Sequence, residues 1–168
     1  TKAGYIYSGP IAAQAYARLA PARGRIKRVV LLGPAHRVPV DGLALPGVLG
    51  FQTPLGVVPV DGEAVRSISA LSQVSESRAA HATEHSLEVH LPCLQAVLGA
   101  VAVVPLVVGH ASAAEVAEAL DRLWGGDETL IVISSDLSHY LTYDQAQATD
   151  RDTVRAILLR QPLNHFQA

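Results

Sequence analysis

The composition of this 168-residue chain is typical of a folded globular protein. Hydrophobic residues make up 49% of it and charged residues 17%, so enough apolar surface is available for a sizeable core. The net charge of −2 gives no basic field for nucleic acid. The longest apolar run, residues 96–109, is shorter than the roughly 20 residues that cross a bilayer. We therefore expect no binding to nucleic acid and no membrane span.

The cysteine content and the first residues predict the cellular compartment. Cys93 is the only cysteine, so an internal disulfide cannot form. The first residues lack the basic start and apolar stretch of a signal peptide. These features predict a reducing, cytoplasmic location. Cys93 itself, between leucines, is expected to be a small buried hydrophobic residue rather than a nucleophile.

Alternating strand and helix patterns predict an α/β fold. Continuous Val, Leu and Ile runs indicate parallel strands that are covered on both faces, at residues 26–32, 101–108 and 129–134. Helical patterns cover residues 11–19, 62–71, 84–98, 113–124 and 143–160. A hairpin is expected near residues 55–60. The prediction is one domain, residues 1–168, with a mostly parallel sheet and helices on both faces.

Two of these strands are followed by residues that can do chemistry. Gly33-Pro34-Ala35-His36 follows the first strand, and a segment ending in Asp136 and His139 follows the third. Ligands of open parallel sheets bind in the crevice at the carboxyl ends of the strands. We expect Gly33 and Pro34 to form a sharp exit that turns His36 inward. His36, Asp136 and His139 should then face one rim.

The segment of residues 84–92, Glu-His-Ser-Leu-Glu-Val-His-Leu-Pro, concentrates further ligand chemistry at the start of a predicted helix that Pro92 should bend. If His85 joins the same rim, His36, His85 and Asp136 become candidate metal ligands, with His139 as an acid or base. Two imidazoles and a carboxylate with open positions suit non-haem iron, and similar ligands bind zinc or copper.

Each of these residues also has an ordinary structural interpretation. His36 can be a hydrogen-bonded, half-buried side chain, Asp136 a turn cap, and Glu84 a helix cap. Glu88 fits either an exposed ion pair or a carboxylate that orients a histidine. His81 is expected to be solvated in a polar loop. A helix would point His90 about 140 degrees away from His85.

In their order along the chain, the motifs resemble the Memo-like family, whose bacterial and archaeal members are called AmmeMemoRadiSam system protein B. The segments that carry the resemblance are Ala3-Gly4-Tyr5-Ile6-Tyr7-Ser8-Gly9, Gly33-Pro34-Ala35-His36, Glu84-His85-Ser86-Leu87-Glu88-Val89-His90-Leu91-Pro92 and Ser134-Ser135-Asp136-Leu137-Ser138-His139.

This resemblance implies a fold similar to class III extradiol dioxygenases, with a pocket that can hold a metal. It further implies that His36 and His85 are the two ligand histidines and that Asp136 and His139 are additional pocket residues. Family members continue into a segment with a cysteine that can complete the metal site. We expect this chain to lack that C-terminal segment, which would leave an open sheet edge suited to homodimerisation.

Two kinds of function follow from the residues and the resemblance together. The first is a non-haem, metal-dependent oxidoreductase that uses iron rather than copper or zinc and acts on an unidentified small molecule or peptide. Radical-SAM system proteins are the expected partners. The alternative is a non-catalytic member that uses the same crevice to bind a ligand, peptide or protein. A hydrolase using Ser135 lacks the Gly-x-Ser-x-Gly elbow that such enzymes need.

Overall fold

A five-stranded mixed sheet lies at the centre of the fold. The computed structural model describes residues 5–160, and its contacts divide the chain into two compact units, Thr1–Ser135 and Asp136–Ala168. The strands are β1 (Arg28–Pro34), β2 (Leu43–Leu45), β3 (Gly50–Thr53), β4 (Gly56–Pro59), β5 (Val74–Glu76), β6 (Ala102–Val108) and β7 (Thr129–Ile133).

The order of strands in the main sheet is β5-β2-β6-β1-β7. Strand β1 pairs in parallel with β6 and β7, and β2 pairs in parallel with β5 but antiparallel to β6. Strands β3 and β4 form a separate antiparallel hairpin. The predicted mostly parallel sheet is therefore confirmed, with β2 as the source of its antiparallel pairing.

Helices cover both faces of this sheet, as the sequence predicts. They are α1 (Tyr5–Ala17), α2 (Gly62–Ile68), α3 (Arg78–Ala82), α4 (Leu91–Leu98) and α5 (Ala113–Leu123) of the first unit; one further helix, α6 (Tyr143–Leu159), belongs to the second unit. Side chains of β1 alternate between two buried clusters because successive residues of a strand point to opposite faces. Val29 and Leu31 pack with α1 and α4, whereas Val30 and Leu32 pack with α2 and α5.

The predicted helix over residues 84–98 is wrong in its first half. Helix α4 begins at Leu91 after a 3-10 turn, Glu88–His90, and the segment before that turn is not helical. Pro92 accounts for this boundary, because proline lacks an N–H and is favoured in the first turn of a helix. His85 therefore lies in a turn, and the helical angle expected between it and His90 does not apply.

Strand β7 is less buried than its continuous apolar sequence predicts. It forms one edge of the main sheet in the described part of the chain, and its side chains are partly exposed, with Ile133 66% exposed. The sequence did not predict strands β2 and β5, because strands of three residues are too short to show a periodic pattern.

The second unit contains α6, none of whose residues is buried. The backbone N–H of Ser138 donates to Asp150 Oδ1 at 2.8 Å, which ties the segment before the helix to the helix itself. Among residues 5–160, no helix is long and apolar enough to cross a membrane.

The packing of α4 against the sheet can be tested at Leu94, which is fully buried in the cluster that includes α1 and β1. We expect Leu94→Ala to lower the free energy of unfolding by about 2–5 kcal/mol, because the substitution removes apolar contacts and leaves a cavity. Chemical denaturation measures the change. The matched control is Leu49→Ala, at a leucine that is 93% exposed, and it should stay within about 0.5 kcal/mol of the parent. Equal effects would contradict the packing described.

A buried polar contact joins α1 to the turn before α4. The Tyr16 hydroxyl and His90 Nδ1 share a hydrogen bond of 2.7 Å, and His90 is only 4% exposed. Burial lowers the pKa of His90 from its ordinary value of 6.5 to about 4. His90 is therefore neutral at physiological pH and forms part of the packed core.

This pKa shift predicts a loss of stability in acid. Between pH 6.5 and about 4 the unfolded chain takes up a proton at His90 that the folded chain refuses, so the free energy of unfolding falls as the pH falls. We expect His90→Gln to reduce this slope in denaturation curves recorded across that window. His110→Gln, at an exposed histidine, should leave it unchanged. An unaltered slope in His90→Gln would contradict the assignment.

Candidate functional site

His36 and His85 lie side by side although 48 residues separate them in the sequence. Their ring centroids are 5.5 Å apart, with 30° between the ring planes. His36 follows β1, and His85 lies in the turn between α3 and the 3-10 turn that precedes α4. The histidines of two separate motifs therefore form one pair.

The approach of these two segments depends on Gly33. A Cβ at this position would lie 2.7 Å from Leu87 Cδ2 and 2.9 Å from Ser86 Oγ, closer than real Cβ atoms come to such neighbours. Ser86 Oγ also donates to the carbonyl oxygen of Pro34 at 3.0 Å. The expected sharp exit at Gly33 and Pro34 is wrong, because β1 continues through Pro34. The glycine instead lets the histidine-bearing turn pack against the strand.

Glu84 is the residue that connects the two histidines. Its side chain is 1% exposed, and Oε1 shares a 2.9 Å hydrogen bond with Nδ1 of His36. The backbone N–H of His36 donates to Oε2 at 2.7 Å. The backbone N–H groups of His85 and Ser86 donate to Oε1 at 2.9 and 3.0 Å. One buried carboxylate therefore holds the main chain on both sides of the pair.

These bonds also determine the charge of Glu84. Burial raises the pKa of a carboxyl group, but here the hydrogen bonds from His36 and from the backbone of Ser86 outweigh burial and lower the pKa to about 2. The side chain is thus a carboxylate at neutral pH. An ionised carboxylate only accepts hydrogen bonds, so the shared hydrogen at His36 belongs to Nδ1.

His85 is held more loosely than His36. Its Nδ1 is 3.6 Å from Glu84 Oε1, which is too long for a hydrogen bond. The side chain of His85 is 47% exposed and that of His36 28%. Nδ1 of both rings lies within 3.6 Å of the same carboxylate oxygen, and in His36 the hydrogen bond to Nδ1 directs Nε2 away from it.

A surface cavity of about 380 Å³ lies beside His36. It lies where β1 and β6 end, at the strand ends where ligands of open α/β sheets bind. Its lining combines apolar and charged groups and consists of Ala35, His36, Arg37, Val38, Pro39, Val40, Asp41, Gly109 and His110. The cavity gives a small ligand access to the His36 side of the pair.

Asp136 and His139, the other predicted site residues, belong to the second unit. They pair with each other, with His139 Nε2 3.2 Å from Asp136 Oδ2. Both side chains are accessible to solvent, 54% for His139 and 35% for Asp136. The spacing of three residues therefore brings the two side chains together.

Two further polar groups lie in the core of the first unit. His81, expected to be solvated, is 6% exposed on α3, and its Nε2 donates to the carbonyl oxygen of Ala44 at 2.8 Å. That expectation is wrong because α3 packs beside β2, a strand too short to be predicted. Burial lowers the pKa of His81. The Ser134 hydroxyl is also buried, without a hydrogen-bond partner in the described structure.

Glu84 is the residue of the candidate site whose contacts with both histidine segments the sequence did not predict. Its interpretation as a helix cap is wrong, because no helix begins there. The only available signal was a glutamate directly before a histidine, a pattern that many surface segments share. Within residues 5–160, no group of three His, Cys, Asp or Glu side chains is placed to hold a metal ion.

Comparison with known proteins identifies the family. The family model described as "Memo-like protein" matches residues 2–167. A MEMO1 family protein of Aeropyrum pernix is 40% identical over 166 residues, which are 92% of this chain and 57% of the relative. Relatives named in the same way are 38% identical in Methanopyrus kandleri and 35% identical in Methanothermobacter thermautotrophicus, each over 92% of this chain.

The chain spans a little under three fifths of the length of these relatives, 57% and 58% for the last two. The implied kinship with class III extradiol dioxygenases stays a prediction. The match over residues 2–167 contains every segment that carries the resemblance. Both histidine segments, Glu84 and the Asp136–His139 segment lie inside it. The chain therefore belongs to the Memo-like protein family.

Proposed function

We propose that His36 and His85 bind a divalent metal ion and that the chain forms part of a metal-dependent oxidoreductase. The observation that supports this most strongly is the paired arrangement of the two imidazoles beside one buried carboxylate, with Nδ1 of His36 hydrogen-bonded to it and Nδ1 of His85 3.6 Å from it. Carboxylates in this position are typical partners of metal-binding histidines, because they fix the ring orientation and raise the basicity of the ligand nitrogen.

The spacing of the rings fits a shared ion. With metal–nitrogen bonds of about 2 Å and near-tetrahedral angles, two imidazoles on one ion have ring centres about 5 Å apart. The observed separation is 5.5 Å. The distance between the two rings therefore supports the proposal that both imidazoles bind one ion.

Iron is the metal that we propose, with copper and zinc as alternatives, because imidazole suits all three and a set of two histidines and one carboxylate is characteristic of non-haem iron. Such an iron, when bound, offers open positions for a substrate and a small oxidant. We further propose Asp136 as the third ligand and His139 as the acid or base that moves a proton on the substrate. The cavity beside His36 would admit that substrate.

Metal analysis of single variants tests the first part of this proposal. We expect the protein purified without chelator to contain metal, and His36→Ala and His85→Ala each to lose most of it, since each removes one of two imidazole ligands. His110→Ala is the matched control, because His110 lines the same cavity but has no bond to Glu84 in the described structure. Its metal content should equal that of the parent.

The same measurement separates the proposal from its alternative. Folded His36→Ala and His85→Ala proteins with parental metal content would contradict the metal site. A parent protein that binds no iron, copper or zinc when these are added would leave only the non-catalytic member that binds a ligand, peptide or protein in this crevice.

The role of Asp136 is tested by Asp136→Asn. We expect weaker metal binding, because an amide is a poorer ligand than a carboxylate for a divalent cation. Titration with Fe²⁺ under anaerobic conditions gives the dissociation constant. Asp144→Asn, at an exposed aspartate in the first turn of α6, is the control and should bind as the parent does. Equal affinity of Asp136→Asn and the parent would rule out the carboxylate as a ligand.

A further inference from the structure

We propose that Glu84 is a positioning residue that presents Nε2 of both histidines to the metal, an inference that rests on the proposed metal site. Glu84 would not touch the metal itself. Its carboxylate would act through hydrogen bonds to the ring and backbone of His36 and to the backbone of His85.

The hydrogen bond to Glu84 determines the tautomer of His36. A neutral imidazole carries its proton on one nitrogen and a lone pair on the other. Oε1 of Glu84 accepts at 2.9 Å from Nδ1 and already accepts two backbone N–H groups, so this oxygen has no proton to give. The proton of the ring must lie on Nδ1. Nε2 therefore carries the lone pair that a metal requires.

Glu84 also fixes the position of the His36 ring. Oε2 accepts the backbone N–H of His36 at 2.7 Å, while Oε1 binds the ring of the same residue. A carboxylate that holds both the main chain and the ring leaves the His36 side chain little rotational freedom. His36 is therefore oriented before any metal arrives, which lowers the entropic cost of binding.

Glu84 holds His85 through the backbone rather than through the ring. The N–H groups of His85 and Ser86 both donate to Oε1, and this fixes the turn that carries the imidazole. Nδ1 of the His85 ring lies 3.6 Å from the same oxygen, without a hydrogen bond. Glu84 therefore positions His85 through its main chain, whereas it holds His36 through both main chain and ring.

Glu88 provides a natural comparison. It belongs to the same sequence segment and is also a carboxylate, yet it has no hydrogen bond to either histidine in the described structure. A positioning role therefore predicts that Glu84 and Glu88 differ in effect, whereas a general need for negative charge near the histidines predicts that they act alike.

The tautomer can be measured without metal. Long-range ¹H–¹⁵N correlation spectra of the metal-free, ¹⁵N-labelled protein at about pH 8 distinguish the two neutral tautomers of each imidazole. The signals of His36 are assigned by their loss in His36→Gln. We expect His36 to carry its proton on Nδ1 in the parent and in Glu88→Ala. Glu84→Ala should lose this preference, and Glu84→Gln should retain it, because the amide oxygen can still accept from Nδ1.

Affinity for Zn²⁺ and Fe²⁺ gives the second measurement on the same proteins. We expect Glu84→Ala to bind each metal about 10–100-fold more weakly than the parent, with Glu84→Gln between the two and Glu88→Ala unchanged. Circular dichroism checks that each variant is folded. A folded Glu84→Ala protein with parental affinity and parental His36 tautomer would overturn the proposal.

The spectrum of the parent protein tests the proposal even without the variants. If Glu84→Ala fails to fold, the parent spectrum still decides, since a proton on Nε2 of His36 overturns the proposal. If the parent shows the expected tautomer and Glu84→Ala loses it, Glu84 orients His36 even where neither metal binds. In that case the proposed metal function fails while the orienting role of Glu84 is supported.

Discussion

The buried carboxylate of Glu84 is the interaction on which the candidate site depends. A carboxylate with 1% of its side chain exposed would be strongly destabilising without partners, and here it accepts three backbone N–H groups and one imidazole N–H. Those donors come from two segments that are far apart in sequence. The charge of Glu84 and the proximity of His36 to His85 are therefore two results of one set of contacts.

The rest of the first unit holds those segments in place. Strand β1 lies between β6 and β7 and alternates its side chains between two buried clusters, so its carboxyl end is fixed on both faces of the sheet. Gly33 leaves room for Ser86 and Leu87 to pack against that end, and Leu87 continues into the cluster that contains α4. Packing thus brings the turn to the strand, and Glu84 then binds both.

The sequence predicted the fold well where patterns are long. The apolar runs of β1 and β6 and the helical patterns between the strands led to the right layers, because continuous apolar strands and amphipathic helices have few other ways to bury their surfaces. The short strands β2 and β5 and the helix α3 beside them were missed, and with them the buried environment of His81. The start of α4 was misplaced because the effect of Pro92 on the helix start was taken for a bend within a longer helix.

For the candidate site, the sequence supplied the residue types but not their relations. Strand-end position and motif resemblance selected His36 and His85, and the structure places their rings together. The link that Glu84 makes between the two histidine segments could not be predicted. It depends on hydrogen bonds to a residue 48 positions away, which no local pattern encodes. The assignment of Asp136 and His139 to the site rests on the sequence, and their mutual pairing is what the structure adds.

The most direct test of the central claim is anomalous diffraction from crystals grown with Fe²⁺ or Zn²⁺, recorded on both sides of the metal absorption edge. We expect one peak within bonding distance, about 2.0–2.2 Å, of Nε2 of both His36 and His85, with Glu84 still bound to Nδ1 of His36. A peak bound through Nδ1, or no peak at this pair in metal-saturated crystals, would contradict this claim.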